Sequence, residues 1–196
     1  MIQVASEDTI TLFHIGRHHG KNPEDLLAPS LRALIENPSI LKTGPSIMGD
    51  FWRLNHYFGL EPKSALELSY LHRLIDPERV YTTKYVRGGL KWLVSKYFPG
   101  LTLYKDKDMH EGWLAPLSPG LRLYAAADAY AGLMLFCRMN AKRLDMRPSP
   151  PLPACSEAYT EYSDFVSGAP LLEPRMIKLR PVREAARGMN VVWFSQ

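Results

Sequence analysis

From Leu117 to Met139 the chain reads LSPGLRLYAAADAYAGLMLFCRM. Ser118 followed by Pro119 is a helix start, a hydroxyl cap before a residue that tolerates the first helical position. The next breaker comes only after Asp145, so one long helix is predicted. Within it Leu121, Tyr124, Ala125, Asp128, Ala131 and Leu135 recur at three- and four-residue steps. Tyr124 and Asp128 therefore share a face, a single turn apart. The rest of that face is apolar and small, and a carboxylate there is costly to bury unless a metal, a cation or a donor meets it. Alone, the pair reads best as structural, the Asp satisfied by a neighbouring Arg or backbone amide. Its surroundings change that reading.

Length and composition narrow the classes. A chain of 196 residues suits one domain with an appendage, and 46% hydrophobic residues are ample for a core, which excludes a disordered protein. A net charge of +4 and a pI near 9.0 permit contact with phosphate backbones without requiring it. Cys137 and Cys155 have no metal-type spacing and form no disulfide-rich pattern, so a reducing compartment fits best. The sequence has no apolar run of roughly eighteen residues, and its opening, MIQVASED, lacks the basic start and apolar middle of a signal peptide. The expectation is a soluble, intracellular protein with no membrane partner.

Taken in order, Ile2 to Ala5 and Thr9 to Ile15 are β-rich runs around the turn residues Ser6, Glu7 and Asp8, an antiparallel hairpin. His14, His18 and His19 lack a Cys or carboxylate at ligand spacing and read as surface histidines, not a zinc site. Ser30 caps a short helix carrying Leu31, Leu34 and Ile35, ended by Asn37-Pro38, and Ile40 to Gly44 is a short buried strand. Gly49-Asp50 opens a helix with Phe51, Leu54, Tyr57 and Phe58 on its inner side, closed by Gly59. Asp50 is itself readable as an ordinary first-turn carboxylate stabilised by the helix dipole. Ser64 to Leu74 starts as a strand and turns helical, and Leu90, Leu93, Val94 and Tyr97 share one helical face.

Between Lys84 and Lys107 the basic residues Lys84, Arg87, Lys91, Lys96, Lys105 and Lys107 face only Asp106, with Tyr85, Trp92, Tyr97 and Tyr104 interleaved. This stretch is either a groove for single-stranded nucleic acid or a solvated basic face over a packed aromatic core. Trp113 reads as a packing anchor. Arg147 to Pro153 holds four prolines in seven residues, which divides the chain into a domain over 1–146 and a Pro-rich linker with a basic arm over 147–196. The last stretch of that arm, Asn190 to Phe194, is apolar and β-rich, able to dock as a strand.

The string YAAADAYAG, preceded by WLAPLSPGLRL and KDKDMHEGW, resembles the third motif of the DEDDy 3′-5′ exonucleases, the group of ribonuclease D and the Werner-type exonuclease domain. PSLRALIENPSILKTG and IMGDFWRLNHYFGL match in the same order, so the resemblance runs from about Ile2 to Met139. It implies an α/β fold of the ribonuclease-H-like kind, a mixed sheet flanked by helices. It further implies that Asp128 and Asp50 serve a Mg²⁺ or Mn²⁺ centre, Tyr124 holds the attacking water, and the substrate is the 3′ end of single-stranded DNA or RNA. Lys84, Arg87, Lys91, Lys105 and Lys107 are the candidate nucleic-acid contacts.

Members of that family begin with a central strand bearing Asp-x-Glu. Only Met1 precedes the hairpin here, so the fold is expected to be truncated at its N-terminus, with that strand missing. The sheet then either closes up or takes in another strand, and Asn190 to Phe194 is the only spare apolar one. Without Asp-x-Glu the oxygen ligands for two hard cations are too few, and hydrolysis is expected to be weak or absent. Three functions stay open: an exonuclease whose first motif lies upstream of Met1, a non-catalytic nucleic-acid- or protein-binding module on the same fold, and a remnant with no stable fold.

Overall fold

The structure, a computed structural model, describes residues 1–76, 89–103 and 112–158 and the backbone of residues 191–195. The hairpin forms: β1 (Ile2–Ala5) and β2 (Ile10–Phe13) pair antiparallel, Ile2 opposite Phe13 and Ala5 opposite Ile10. The Ser6 N–H donates to the Thr9 carbonyl at 2.8 Å and its hydroxyl to Asp8 at 3.0 Å, which closes the turn. β2 stops short of the expected Ile15, because Ile15 turns inward at the start of a 3-10 turn, Ile15–Arg17, and is buried there.

The short helix α1 (Pro23–Leu26) leads into α2 (Pro29–Glu36), whose first residue is Pro29, so Ser30 is not its cap. Proline has no N–H to leave unsatisfied and its φ is already helical, which suits the first position. Then come β3 (Leu41–Gly44), α3 (Ile47–Phe58), β4 (Ala65–Glu67) running directly into α4 (Leu68–Ile75), α5 (Leu90–Tyr97) and the 27-residue α6 (Pro119–Asp145). α6 is the long helix expected, with the Ser118 hydroxyl accepting from the Leu121 N–H at 3.2 Å. α3 starts two residues earlier than Gly49, and its inner face is Ile47, Asp50, Phe51 and Leu54. Tyr57 falls off that line and is 64% exposed, a correction to its expected inward position.

One strand remains, β5 (Val191–Ser195), and it lies in the middle of the five-stranded sheet, whose order is β2-β1-β5-β3-β4. It runs antiparallel to β1, with Ala5 opposite Trp193, and parallel to β3, with Lys42 beside Val192. β4 continues the parallel half, Thr43 beside Leu66. Of the two sequence-based alternatives, insertion of the C-terminal strand is the one the backbone adopts. The reason is elementary: β1 and β3 would otherwise leave buried amides and carbonyls unpaired, at about 1–3 kcal/mol each.

Period-two alternation sorts the strand side chains between two cores. Ala5 and Leu66 join α4, α5 and α6 on one face, and Ile2, Val4 and Ala65 join α2 and α3 on the other. Lys42 is fully buried in β3, its Nζ donating to the Asn37 and Ile40 carbonyls at 2.7 and 2.9 Å. Desolvation brings its pKa down to about 8, against the opposing pull of Glu157.

The outer edge of the sheet is covered by chain that follows α6. The Ser64 N–H donates to Glu157 Oε1 at 2.7 Å and the Ala65 N–H to Ser156 Oγ at 3.1 Å, so the free edge of β4 is capped, not offered to another strand. The proline segment leading there is fastened to α6, the Ser149 hydroxyl donating to the Arg143 carbonyl at 3.1 Å and Arg143 to the Pro150 carbonyl.

Because β5 is paired on both sides, Val192→Pro removes a central ladder donor. It is expected to cost ~2 kcal/mol or more in urea unfolding beyond Val192→Ala, which shortens the side chain but keeps the donor. Equal stability of the two variants would show that β5 does not carry the sheet.

Candidate active site

Tyr124 and Asp128 lie one turn apart on the inner half of α6. Asp128 is 8% exposed and Tyr124 half-buried. The Trp113 ring packs on Tyr124 with centroids 6.2 Å apart and planes at 56°. The Trp113 carbonyl accepts from His14 Nε2 at 2.7 Å, which ties the end of the hairpin to the phenol. Trp113 thus has the packing role expected of it. His14 and His18 are fastened to backbone, His18 Nδ1 donating to the Leu26 carbonyl at 2.6 Å.

Asp50 sits on α3, in its first turn, also 8% exposed, and its Oδ1 accepts from Arg53 at 3.0 Å. α3 and α6 cover opposite faces of the sheet, and both pack against β5. The structure therefore pairs Tyr124 with Asp128 on α6 and places Asp50 on α3, the helix across the sheet. Of the cationic candidates, Lys91 is exposed on α5, while Lys84, Arg87, Lys105 and Lys107 lie outside the described residues. Lys96, in the same basic stretch, is committed to Asp76 and to the Trp92 ring, 5.5 Å from its centroid. That ammonium holds the Asp76 carboxyl below the ordinary carboxylate range.

The chain reading missed Glu67. It closes β4 at 4% exposure, and its Oε1 accepts from the Ser46 N–H at 3.0 Å and the Ser69 N–H at 3.1 Å. One carboxylate thereby fastens the entry of α3 and the first turn of α4, helices on opposite faces. Ser46 is held at φ 62°, a left-handed conformation that costs a non-glycine residue on the order of 1 kcal/mol, and the Glu67 bond stabilises it. Ser64 at φ 53° is held in the same way by Glu157. The only sequence trace of Glu67 is an acid ending an apolar strand, ALELS, where a surface residue is the ordinary expectation. Burial raises its carboxyl above the usual value of 4.5, against the lowering effect of the donors.

Two divalent ions about 4 Å apart need several oxygen ligands. Asp50 and Asp128 supply two carboxylates, one already paired with a guanidinium, and β5, VVWFS, supplies none. Among the described residues no three His, Cys, Asp or Glu side chains gather as a metal-holding group. These residues do not fit a two-ion centre.

Helices on both faces of a mixed five-stranded sheet make this an α/β domain. The family model described as 3′-5′ exonuclease matches residues 1–143, and the chain belongs to that family, whose members act on nucleic acid. The mouse bifunctional 3′-5′ exonuclease/ATP-dependent helicase WRN is 32% identical over 137 residues, which is 69% of this chain and 9% of that protein. The chain thus spans about a tenth of that relative. Two crystal structures of the EXD2 exonuclease domain align more loosely. The one soaked in Mg and dGMP is 23% identical over 62% of this chain and 57% of the other, with a TM-score of 0.27. The one soaked in Mn and Mg is 21% identical over 69% and 68%, also with a TM-score of 0.27. Among the described residues no helix is long and apolar enough to cross a membrane.

Because its carboxyl is raised, folded Glu67 keeps a proton over a range in which the unfolded chain has released it, so its contribution to stability falls as pH rises above the usual carboxylate value. Glu67→Gln is expected to flatten the loss of stability between pH 5 and 8. Glu67→Ala should cost roughly 1–2 kcal/mol at the acid end of that range by removing the hydrogen bonds to the Ser46 and Ser69 amides. Thermal unfolding across that range checks both, and parallel wild-type and Gln profiles would contradict the assignment.

Proposed function

We propose that the chain binds single-stranded DNA or RNA near a 3′ end on an exonuclease scaffold of the DEDDy type, ribonuclease-H-like in fold, and hydrolyses it weakly or not at all. The observation that carries this reading is the central lane of the sheet. In the family that lane belongs to the strand bearing Asp-x-Glu. Here β5 occupies it, in contact with both helices that bear the candidate acids, and it has no carboxylate. Tyr124, Asp128 and Asp50 are then what remains of a catalytic set. Mg²⁺ or Mn²⁺ is the ion that the family resemblance implies for such a set, with Asp128 as the direct ligand. Retention of Tyr124 and Asp128 favours a second reading, a hydrolase completed by an Asp-x-Glu strand from a longer form of the protein. In both readings Lys91, with Lys84, Arg87, Lys105 and Lys107, supplies phosphate contacts.

A 3′-labelled single strand incubated with the chain and Mg²⁺ or Mn²⁺ is expected to stay intact or to be degraded at a rate that Asp128→Ala leaves unchanged. Fluorescence anisotropy should show binding that weakens steeply with salt and loses roughly one unit of log–log slope for each phosphate-contacting Lys replaced. Metal-dependent shortening from the 3′ end, abolished by Asp128→Ala, would overturn the inactive reading, and salt-independent or absent binding would overturn the nucleic-acid one.

A further inference from the structure

A long helix lying on a sheet ordinarily presents charge to solvent on the side away from it. α6 does not. Its inward side carries Leu121, Ala125, Asp128, Leu135 and Met139. On the opposite side Leu123, Ala127, Tyr130, Met134, Cys137 and Ala141 recur in alternating steps of four and three. That spacing averages 3.5 residues, the repeat of a seam along which two helices pack. Leu123 is 72% exposed and Tyr130 50%, Cys137 and Ala141 are exposed, and Ala127 and Met134 are half-covered. A contiguous exposed apolar stripe of this kind marks an interaction surface, so the outer side of α6 calls for a cover.

The shape and charge of the stripe say what kind of cover fits. Small residues alternate with large ones, Ala127 and Ala141 on either side of Tyr130 and Met134, which leaves recesses for the side chains of a second helix. Arg122 flanks the stripe on one side, and Arg138 and Lys142 on the other, all exposed. Arg147 stays at its C-terminal end, donating to the Leu144 and Met146 carbonyls at 2.9 and 3.0 Å. Asp145 lies among these four cations, and Glu7 of the hairpin turn is near enough to act on the Cys137 thiol, so the cations outnumber the acids. A second copy of the chain would bring like rims together, a repulsion that costs affinity. We propose that the outer face of α6 docks an amphipathic helix of a partner protein, its apolar seam flanked by acidic residues. This surface is separate from the Tyr124–Asp128 site, on the other side of the same helix.

The test uses the full chain and two fluorescent synthetic peptides of four heptads, both with Leu at the seam positions, one with Glu and one with Lys at the flanks. The Glu-flanked peptide is expected to bind saturably, at least tenfold more tightly than the Lys-flanked one. The double variant Tyr130→Glu, Met134→Glu should weaken it at least tenfold with the thermal melt retained. Arg138→Glu with Lys142→Glu should reverse the order of the two peptides, a change that loss of folding cannot mimic. Absent binding, equal affinity for both peptides, or insensitivity to either double variant overturns the proposal. So does a dimer in sedimentation that Tyr130→Glu dissolves, or tighter association with anionic phosphatidylserine vesicles than with the Glu-flanked peptide.

Discussion

The amides and carbonyls that β1 and β3 present toward each other must be paired, and β5 is the strand that pairs them. Everything else is arranged on that closure. α6 rests on β5 from one face and α3 from the other, so the lane that completes the sheet also sets where Asp128 and Asp50 lie. The sheet is antiparallel on one side of β5 and parallel on the other, which accommodates the β1–β2 hairpin and the β3–α3–β4 crossover in one layer.

The electrostatics follow from the same close packing. Two buried ionisable groups, Lys42 and Glu67, hold backbone together at points where the chain changes direction, and burial pushes each toward its neutral form. Lys42 ties the α2–β3 connection, and Glu67 ties the starts of α3 and α4 across the sheet. Neither is a site residue. They fix the frame in which Asp50 is delivered, and Asp50 is engaged by Arg53. This domain of the 3′-5′ exonuclease family carries a phenol and an acid on α6 and an acid on α3, while the strand in the middle of its sheet, VVWFS, has no carboxylate.

The edges show how such a domain protects itself. β4 would offer free amides to any passing strand, and Ser156 and Glu157 accept from them instead. The outer face of α6 has no comparable cover among the described residues, and its seam-like spacing sets it apart from scattered surface apolar residues, which are ordinary.

The chain alone determined the features that depend on local spacing. Ser118-Pro119 placed the start of α6, the three- and four-residue recurrence put Tyr124 and Asp128 on one face, Gly59 closed α3, and Leu90, Leu93, Val94 and Tyr97 gave the buried side of α5. It also singled out Asn190 to Phe194 as the one spare strand, since four apolar β-formers, Val191 to Phe194, after a long polar arm have little other use. Spacing could not say that Glu67 turns inward, because one acid at a strand end is satisfied by solvent as readily as by two amides. It misplaced Tyr57 because that position lies at the margin of the inner line of Ile47, Asp50, Phe51 and Leu54, near the end of α3, where an amphipathic phenol turns to solvent. Whether the last strand enters the sheet was decided only in three dimensions, where the unpaired backbone of β1 and β3, far apart in sequence, came to need the same partner.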